Sequence, residues 1–456
     1  MQDELKNLSP ELREELKKLL DVPTQTPEQI LPEWYDGKAI DEIAFCEFFL
    51  VRRELKCIQG RVYDLDGLVE DSVLKKEILD LIKPYQRRNV AKMADRLLDT
   101  IKLFCQSELM ERPEDRVHFK NGTYFLDGTF SPEKEWTMNR LPVCFNPDAP
   151  KPERWLSFLD DLLEPEDIPA LQEFMGYVLI PSNRGQKMLL MIGKGGEGKS
   201  RIGRVLRALL GDNMNTGSIQ KLENDRFHRS DQEGKLLFLD DDMRMEALPS
   251  TNNIKSIVTM EDKIELEQKG KQSRQGYLHV RIICLGNGSL KSLHDQSYGF
   301  YRRQVIITTK DRPPDRVDDC YLGDKLRAEA EGIALWCLEG LKRLRENGFR
   351  FSISRRASEN LRELMENENN IIPFLQSTGY VRFEKETYSS SKKLYHAYCR
   401  WCTDNLEKPR AENTFKRYLN ENTARLGLIQ DKNLPGEAGK TVRGFRGIHT
   451  VVAPGV

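Results

Sequence analysis

The chain has 456 residues and a formal net charge of −1, so its length predicts about three folded units and its overall charge does not indicate nucleic acid. Hydrophobic residues make up 39% and charged residues 31%, which is the composition of a soluble, folded protein. No apolar run approaches the ~20 residues that a transmembrane helix needs, and the acidic start is unlike a signal peptide, so we expect a cytoplasmic protein with no membrane partner.

The first part of the chain is predicted to be mostly helical. Residues 1–40 look like a short helix and a proline-punctuated linker, and residues 41–145 like an α+β domain. Within that domain, residues 117–132 alternate as a small β element does. Asn121-Gly122 and Asp127-Gly128 are typical of tight turns between its strands.

Four short apolar runs follow and alternate with helices or loops. Runs with this spacing favour an open α/β sheet that is covered on both faces. We expect this core at 186–312, after a helical collar or oligomerisation segment at 146–185 and before a helical subdomain at 313–370. The four runs are residues 188–192, 235–240, 280–286 and 303–309.

The C-terminal residues 371–456 are predicted to form a small α+β unit of two helices and then a basic hairpin at 439–452. Residues 381–456 carry 14 Lys and Arg against 8 Asp and Glu, which indicates a polyanionic partner for this end. Cys399 and Cys402 form a lone Cys-x-x-Cys without a second pair at zinc spacing. We therefore interpret them as core or surface thiols and not as a metal or redox site.

The loop after the first apolar run reads GKGGEGKS and matches the Walker A pattern in full. Its glycines allow backbone N–H groups to wrap a phosphate, and Lys199 would lie between the β- and γ-phosphates of ATP. The Ser200 hydroxyl would ligate Mg²⁺, and an amphipathic helix follows whose N-terminus faces the phosphates. The predicted ATP-binding residues are Gly193, Lys194, Gly195, Gly196, Glu197, Gly198, Lys199 and Ser200.

One competing interpretation of this loop is a dinucleotide site. Gly193, Gly195 and Gly198 also satisfy the G-x-G-x-x-G pattern. That kind of loop has no use for a Lys-Ser pair and expects an acidic residue at the tip of a second strand. Asp212 lies at about the right distance but in a loop after a helix, so the sequence favours ATP.

Three aspartates end the second apolar run. In a phosphate-binding enzyme, one such acid orients the water shell of Mg²⁺ and the next polarises the attacking water. Strand alternation allows either Asp240 with Asp241 or Asp241 with Asp242 in these roles. The predicted metal ligands are Ser200, Asp240 and Asp241, and the predicted catalytic acids are Asp241 and Asp242.

Two further sites complete the predicted catalytic set. Asn287 follows the third run and would bond the attacking water or the γ-phosphate, although such a residue alone is usually a turn residue. Arg302 and Arg303 precede the fourth run, and an arginine beside a neighbouring subunit's γ-phosphate would stabilise charge in the transition state. The alternative for this pair is a solvated basic surface.

In this order, the motifs resemble the superfamily-three helicases of phages, plasmids and DNA viruses. More narrowly, the chain is similar to the helicase half of phage and plasmid helicase–primases and to poxvirus-type nucleoside triphosphatases. The resemblance runs from about residue 117 to the C-terminus through NGTYFLDG, LQEFMGY, GKGGEGKS, KLLFLDDD, IKSIVTMEDKIELEQKGK, IICLGNG, GFYRR and EGIALWCLEGL. It implies an AAA+-like ATPase core that uses ATP and Mg²⁺ in the cytoplasm of a bacterial host. The protein would act as a homo-oligomeric ring, expected to be a hexamer, that translocates 3′ to 5′ on single-stranded DNA and opens forked DNA.

The resemblance also implies where DNA would bind. Residues 260–273 would form a hairpin that points into the pore and contacts backbone phosphates without sequence preference. The C-terminal unit looks like a winged-helix domain, for which protein docking is the alternative role. The residues assigned to DNA are Lys269 and Lys271 on the hairpin, Lys416 and Arg417 on the recognition helix, and Arg443 and Arg446 on the wing.

The chain departs from the full helicase–primases at its N-terminal end. Their primase carries paired acids on a strand and a distant His, whereas residues 1–115 are too short for that fold and offer only Asp64 and Asp66. We interpret this pair as turn residues and predict no primer synthesis, so a separate primase or initiator would be a partner. Two other functions stay open, an ATP-driven DNA-binding switch that does not unwind and a small-molecule kinase, and the long flanking domains disfavour the kinase.

Overall fold

The computed structural model describes residues 31–243, 248, 250–267, 269–270, 272–288, 298–317, 319–367, 370–436 and 440–451. Most of the segment predicted as an N-terminal helix and linker lies outside these residues, as does Lys271. The chain divides into two compact units, of which the first comprises the residues up to Arg112 together with Lys134–Met138. The division therefore falls inside the segment 41–145 that the sequence suggested as one domain.

The first unit combines three helices with a small antiparallel sheet. Its first helix is capped at the N-terminus by Asp41, whose carboxylate accepts hydrogen bonds from the N–H groups of Ile43 and Ala44. Apolar side chains of all three helices and of the sheet form one buried cluster. The elements are α1 (Glu42–Arg52), β1 (Lys56–Ile58), β2 (Arg61–Asp64), β3 (Gly67–Val69), α2 (Asp71–Ile82) and α3 (Val90–Phe104).

The second unit opens with a three-stranded antiparallel sheet, which confirms the β element predicted at 117–132. Gly122 and Gly128, with φ of +156° and +101°, follow Asn121 and Asp127 in the two predicted turns. A Cβ at Gly122 would lie 2.2 Å from the carbonyl oxygen of Ser131, so only glycine fits there. The strands are β4 (Arg116–Phe119), β5 (Gly122–Phe125) and β6 (Phe130–Ser131).

The core of the second unit is a parallel sheet of five strands, built from the four predicted apolar runs and one more strand. Their order across the sheet is β13-β7-β12-β9-β8, so β12 lies between β7 and β9. In the sequence, a separate antiparallel hairpin of β10 and β11 lies between β9 and β12. The strands are β7 (Met188–Ile192), β8 (Met214–Thr216), β9 (Leu237–Met243), β10 (Ile264–Leu266), β11 (Arg274–Gly276), β12 (Arg281–Gly286) and β13 (Gln304–Thr308).

Both faces of this sheet are buried, as the continuous apolar runs predict. Along β7, Leu189 and Met191 pack into one hydrophobic cluster, while Met188 and Leu190 pack into another. The same division holds along β9 and β12, because successive side chains of a strand point to opposite faces. Burial of each of these side chains contributes roughly 1.5–3 kcal/mol to the free energy of unfolding. This burial stabilises the sheet that carries the loops at its ends.

Helices cover the sheet and carry the chain between its strands. Two of them, α5 and α12 below, approach so closely that Gly176 and Gly340 lie against backbone of the opposite helix. The helices are α4 (Glu153–Leu162), α5 (Ile168–Tyr177), α6 (Ser200–Leu210), α7 (Ile219–Asn224), α8 (Arg226–Ser230), α9 (Asn252–Thr259), α10 (Tyr298–Tyr301), α11 (Leu322–Ala328), α12 (Ala330–Glu346) and α13 (Arg355–Asn367).

The C-terminal region contains the two predicted helices, α15 and α16 below, packed on a three-stranded sheet of order β15-β17-β16. The prediction of a hairpin within 439–452 is wrong in its strand partner. Strand β17 pairs with the preceding polar segment Ile429–Pro435 and not with the residues after it. Cys402 packs in the hydrophobic cluster of this region. The elements are α14 (Ile371–Gln376), β14 (Val381–Arg382), β15 (Tyr388–Ser390), α15 (Ser391–Asp404), α16 (Glu412–Glu421), α17 (Thr423–Leu426), β16 (Ile429–Pro435), β17 (Thr441–Arg446) and β18 (His449–Thr450).

Within the part of the chain that the structure describes, no helix combines the length and the apolar character that crossing a bilayer requires.

Candidate functional site

The glycine-rich loop 193–200 connects the carboxyl end of β7 to the first residue of α6. Gly195, Gly196 and Gly198 have φ of +106°, +83° and +112°, which side-chain-bearing residues rarely adopt. The N–H of Gly193 donates to the carbonyl oxygen of Gly286 at 3.1 Å, so the loop is fixed to the end of β12. The loop therefore has the strand–loop–helix context that its sequence predicts.

The lysine of this loop is held in a buried network. Lys199 and Glu197 are 7% and 2% exposed, and the ammonium Nζ lies 2.7 Å from Glu197 Oε2. Lys199 Nζ also donates to Asn287 Oδ1 at 3.3 Å. The structure thus brings together the predicted lysine and the predicted asparagine, because β7 and β12 are neighbours in the sheet.

The three aspartates at the end of β9 have different surroundings. Asp240 is 4% exposed, and its Oδ2 accepts a hydrogen bond of 2.7 Å from the N–H of Ile219, the first residue of α7. Burial raises the pKa of the Asp240 carboxyl, and hydrogen bonds from two backbone N–H groups act in the opposite direction. Asp241 and Asp242 are exposed. Asp240 therefore anchors a helix, whereas its two neighbours have carboxylates available to a ligand.

A cavity of about 520 Å³ opens at this edge of the sheet. It collects residues from the glycine-rich loop, from the ends of β9 and β12, and from the segment after β13. Ser200, Asp241 and Asn287 line it, but Asp240 does not, although the sequence suggested it as a metal ligand. Its lining residues are Gly195, Gly196, Glu197, Gly198, Lys199, Ser200, Arg201, Asp241, Asp242, Leu285, Gly286, Asn287, Arg312, Arg316, Asp319, Cys320 and Leu322.

Two arginines at this cavity were missed by the sequence analysis. Arg316 Nη1 donates to the carbonyl oxygen of Glu197 at 2.7 Å, and Arg312 Nη1 to that of Gly196 at 3.5 Å. Both follow β13, whose carboxyl end lies at the same edge of the sheet as the glycine-rich loop. The signal was in the sequence, since DRPPDR places two arginines within eight residues of the end of a buried strand.

The predicted arginine pair lies at the opposite edge of the sheet. The carbonyl oxygen of Arg303 accepts a hydrogen bond from the N–H of Met188, which is the first residue of β7. Arg302 is exposed, and the guanidinium of Arg303 donates to the carbonyl oxygen of Gly299. Within one chain, therefore, neither arginine meets the glycine-rich loop at the other end of β7.

An antiparallel hairpin is present near the predicted segment 260–273, but its second strand, β11, begins only after that segment, at Arg274. Lys269 lies exposed in the turn between these strands, while Lys271 lies outside the described residues. The hairpin is attached to α8 and its C-terminal turn where the strands meet the connecting turn, because the N–H of Glu267 donates to Ser230 Oγ at 2.7 Å and Arg274 forms an ion pair with Glu233.

Of the four basic residues predicted to bind DNA in the C-terminal region, two form ion pairs with acidic residues and two do not. Lys416 lies 2.6 Å from Glu412 and Arg446 lies 2.8 Å from Asp431, so two of the charges are partly neutralised. Arg417 and Arg443 are exposed and form no ion pair with any residue that the structure describes. These two arginines are therefore the cations of this set that are available to a polyanion.

Comparison with known proteins finds a family model that matches the part of the chain that contains the site. A family of unknown function, DUF5906, matches residues 191–303, which include the glycine-rich loop, the three aspartates and Asn287. This match covers less than half of the chain. None of the curated proteins compared with the chain matches it.

Solved structures show where a similar fold occurs. One apo structure of the C-terminal region of NrS-1 has a TM-score of 0.50 at 13% identity, covering 88% of this chain and 97% of that one. Two further apo structures of the same region have TM-scores of 0.46 and 0.47, at 13% and 12% identity, each covering 89% of this chain and 99% of that one. At such low identity, the likeness shows a shared fold and leaves the activity to be argued from the site.

Proposed function

We propose that the chain is a P-loop ATPase that moves on single-stranded DNA during the replication of a phage, plasmid or integrated element. The observation that carries the proposal is the convergence of Lys199, Ser200, Asp241 and Asn287 on one cavity beside a positive-φ glycine loop. A loop of this kind presents inward N–H groups and a lysine, which together bind a triphosphate. The resemblance to superfamily-three helicases supports the DNA substrate.

The residues of the cavity suit the hydrolysis of ATP. Water would attack the γ-phosphorus while the bond to the β–γ bridging oxygen breaks, giving ADP and inorganic phosphate. Lys199 would neutralise charge on the β- and γ-phosphate oxygens, and Asn287 would orient the attacking water. Asp242 would accept a hydrogen bond from that water and polarise it.

The donor set at the cavity fits Mg²⁺ better than a transition metal. The Ser200 hydroxyl and the Asp241 carboxylate offer hard oxygen ligands, and phosphate oxygens and waters would supply the rest. No group of three or more His, Cys, Asp or Glu among the described residues is arranged to hold a metal without a substrate. Bound there, Mg²⁺ would withdraw charge from the phosphates. Because the Asp240 carboxylate is bonded to α7, we assign the metal role to Asp241.

A ring would complete the site. Arg302 is exposed at the opposite edge of the sheet, so in an oligomer it is accessible to the cavity of an adjacent subunit. We expect a homo-oligomer, a hexamer by the resemblance, with Lys269 of each hairpin facing DNA in the pore. Arg417 and Arg443 would bind DNA phosphates outside the pore.

The test is ATP hydrolysis by the Lys199→Ala variant, with and without single-stranded DNA. We expect turnover to fall by about 100-fold or more, because a preorganised cation at the transferred phosphate is lost. Lys120→Ala, which removes an exposed lysine of the β4–β5 turn, is the matched control. Unchanged hydrolysis in Lys199→Ala would refute the site. A forked-duplex assay then separates a motor from a switch, since hydrolysis stimulated by DNA without strand displacement would favour the switch.

A further inference from the structure

The glycine-rich loop carries an acidic side chain that the proposed chemistry does not use. Glu197 is 2% exposed, and both of its carboxylate oxygens are bonded within the loop. Oε1 accepts a hydrogen bond of 2.7 Å from the N–H of Gly195, and Oε2 one of 2.7 Å from Lys199 Nζ. A backbone N–H and a lysine are the groups with which such loops bind phosphate. The carboxylate of Glu197 thus binds, from within the chain, to groups that would otherwise be available to a phosphate.

The charge of this carboxylate follows from its surroundings. Burial raises the pKa of Glu197, but hydrogen bonds from Lys199 and from backbone N–H groups lower it by a larger amount, so the net shift of the pKa is downward. Glu197 is therefore ionised at neutral pH and cancels the positive charge of the Lys199 ammonium. An incoming triphosphate therefore meets the neutral pair of Lys199 and Glu197. A lysine without this partner would attract the triphosphate more strongly.

We propose that Glu197 is a positioning residue that competes with the phosphates of a nucleotide for Lys199 and thereby weakens nucleotide binding. This inference rests on the proposed function of the same site. A lysine ammonium has three N–H donors, and two of them are directed to Glu197 and Asn287.

Nucleotide binding then follows one of two courses. If the ammonium turns to the phosphates, it leaves a buried carboxylate with one fewer partner. If it stays, the phosphates approach a fixed negative charge. Both courses cost binding free energy, and a neutral side chain of the same shape removes that cost.

The experiment is calorimetric titration of the full chain and of its Glu197→Gln variant with ATP and with ADP, in the presence of Mg²⁺. We expect Kd for ATP to fall at least about tenfold, which corresponds to about 1.4 kcal/mol. In steady-state hydrolysis, KM should fall while kcat does not rise, because tighter binding of ADP slows product release. A side chain that merely supports the loop would move Kd and KM in the opposite direction.

Asp311→Asn is the matched control. Asp311 lies 2.7 Å from Lys194 at the rim of the same loop, and both of these side chains are largely exposed. The substitution removes the same charge from a solvated pair, so Kd should stay within about twofold of wild type. Glu197→Met is the second test variant, since it also removes the charge and should also tighten binding.

The possible results separate this inference from the proposed function. Binding by wild type together with unchanged or weaker binding by both Glu197 variants would overturn the competition and leave the ATP site intact. A lack of ATP binding by wild type would overturn the proposed function and this inference together. Equal tightening in the Asp311→Asn control would show that the effect is general electrostatics, which also overturns the competition.

Discussion

The contact between helices α5 and α12 gives a prediction that tests the packing of the second unit. We consider Gly340→Ala on α12. A Cβ at this position would lie 2.4 Å from the carbonyl oxygen of Gln172 and 2.5 Å from its carbonyl carbon. Ordinary carbon contacts are about 3.5–4.0 Å, so the two helices would have to separate by about 1 Å.

The magnitude follows from two opposing effects. Helix propensity favours alanine over glycine by about 1 kcal/mol. Overpacking a tight contact costs about 1–3 kcal/mol, and the upper end applies because the contacted atoms are backbone and cannot rotate away. The free energy of unfolding should therefore fall by about 1–2 kcal/mol, and the melting temperature by a few degrees.

Thermal unfolding followed by circular dichroism measures this change. Gly379→Ala is the control, because no heavy atom lies within 4 Å of a Cβ built there and the backbone is outside the left-handed region. It should leave the melting temperature unchanged or slightly raised, since alanine reduces the freedom of the unfolded chain. A Gly340→Ala variant that melts at or above wild type would refute the close packing of these helices.

Three predictions concern the proposed function. Asp241→Asn should lower ATP turnover by about 100-fold while the chain still binds ATP. If the variant turned over ATP as fast as wild type at every Mg²⁺ concentration, its metal role would be contradicted. Arg302→Ala should be inactive alone but regain activity when mixed with Lys199→Ala, because mixed rings contain interfaces with both groups intact; a mixture as inactive as its components would argue against a shared site. Replacing Arg417 and Arg443 together by alanine should reduce the salt dependence of DNA binding by about two in the log–log slope, and an unchanged slope would remove these residues from the DNA interface.

Much of the central sheet could be predicted, because its strands are buried on both faces. The strands β7, β9, β12 and β13 each contain at least three consecutive apolar residues, and the helix that begins at Ser200 has its apolar residues on one face. Strand β8 was missed, since three residues starting at Met214 carry too little pattern to stand out from a loop. The partner of β17 was missed for a related reason, as IQDKNLP is mostly polar and exposed.

The site was predictable where the chemistry is local and less so where it depends on tertiary contacts. The eight residues of the loop are contiguous, and Asn287 directly follows the apolar run of β12. The choice among the three aspartates could not be made, because alternation along a strand does not show that Asp240 bonds to Ile219. The contact of Arg316 with the loop joins residues 119 positions apart, which no local pattern encodes.

The bond from Asp240 to the first residue of α7 gives the end of β9 a mechanical connection to the hairpin. Helix α8 follows α7 after one residue, and Ser230 at its end accepts a hydrogen bond from the N–H of Glu267, where the turn of the hairpin begins. If the site binds a nucleotide as proposed, a shift of β9 on phosphate release would be transmitted through α7 and α8 to Glu267, in the turn that also carries Lys269. Under the proposed function, these hydrogen bonds would couple the cavity to the part of the hairpin that is proposed to contact DNA.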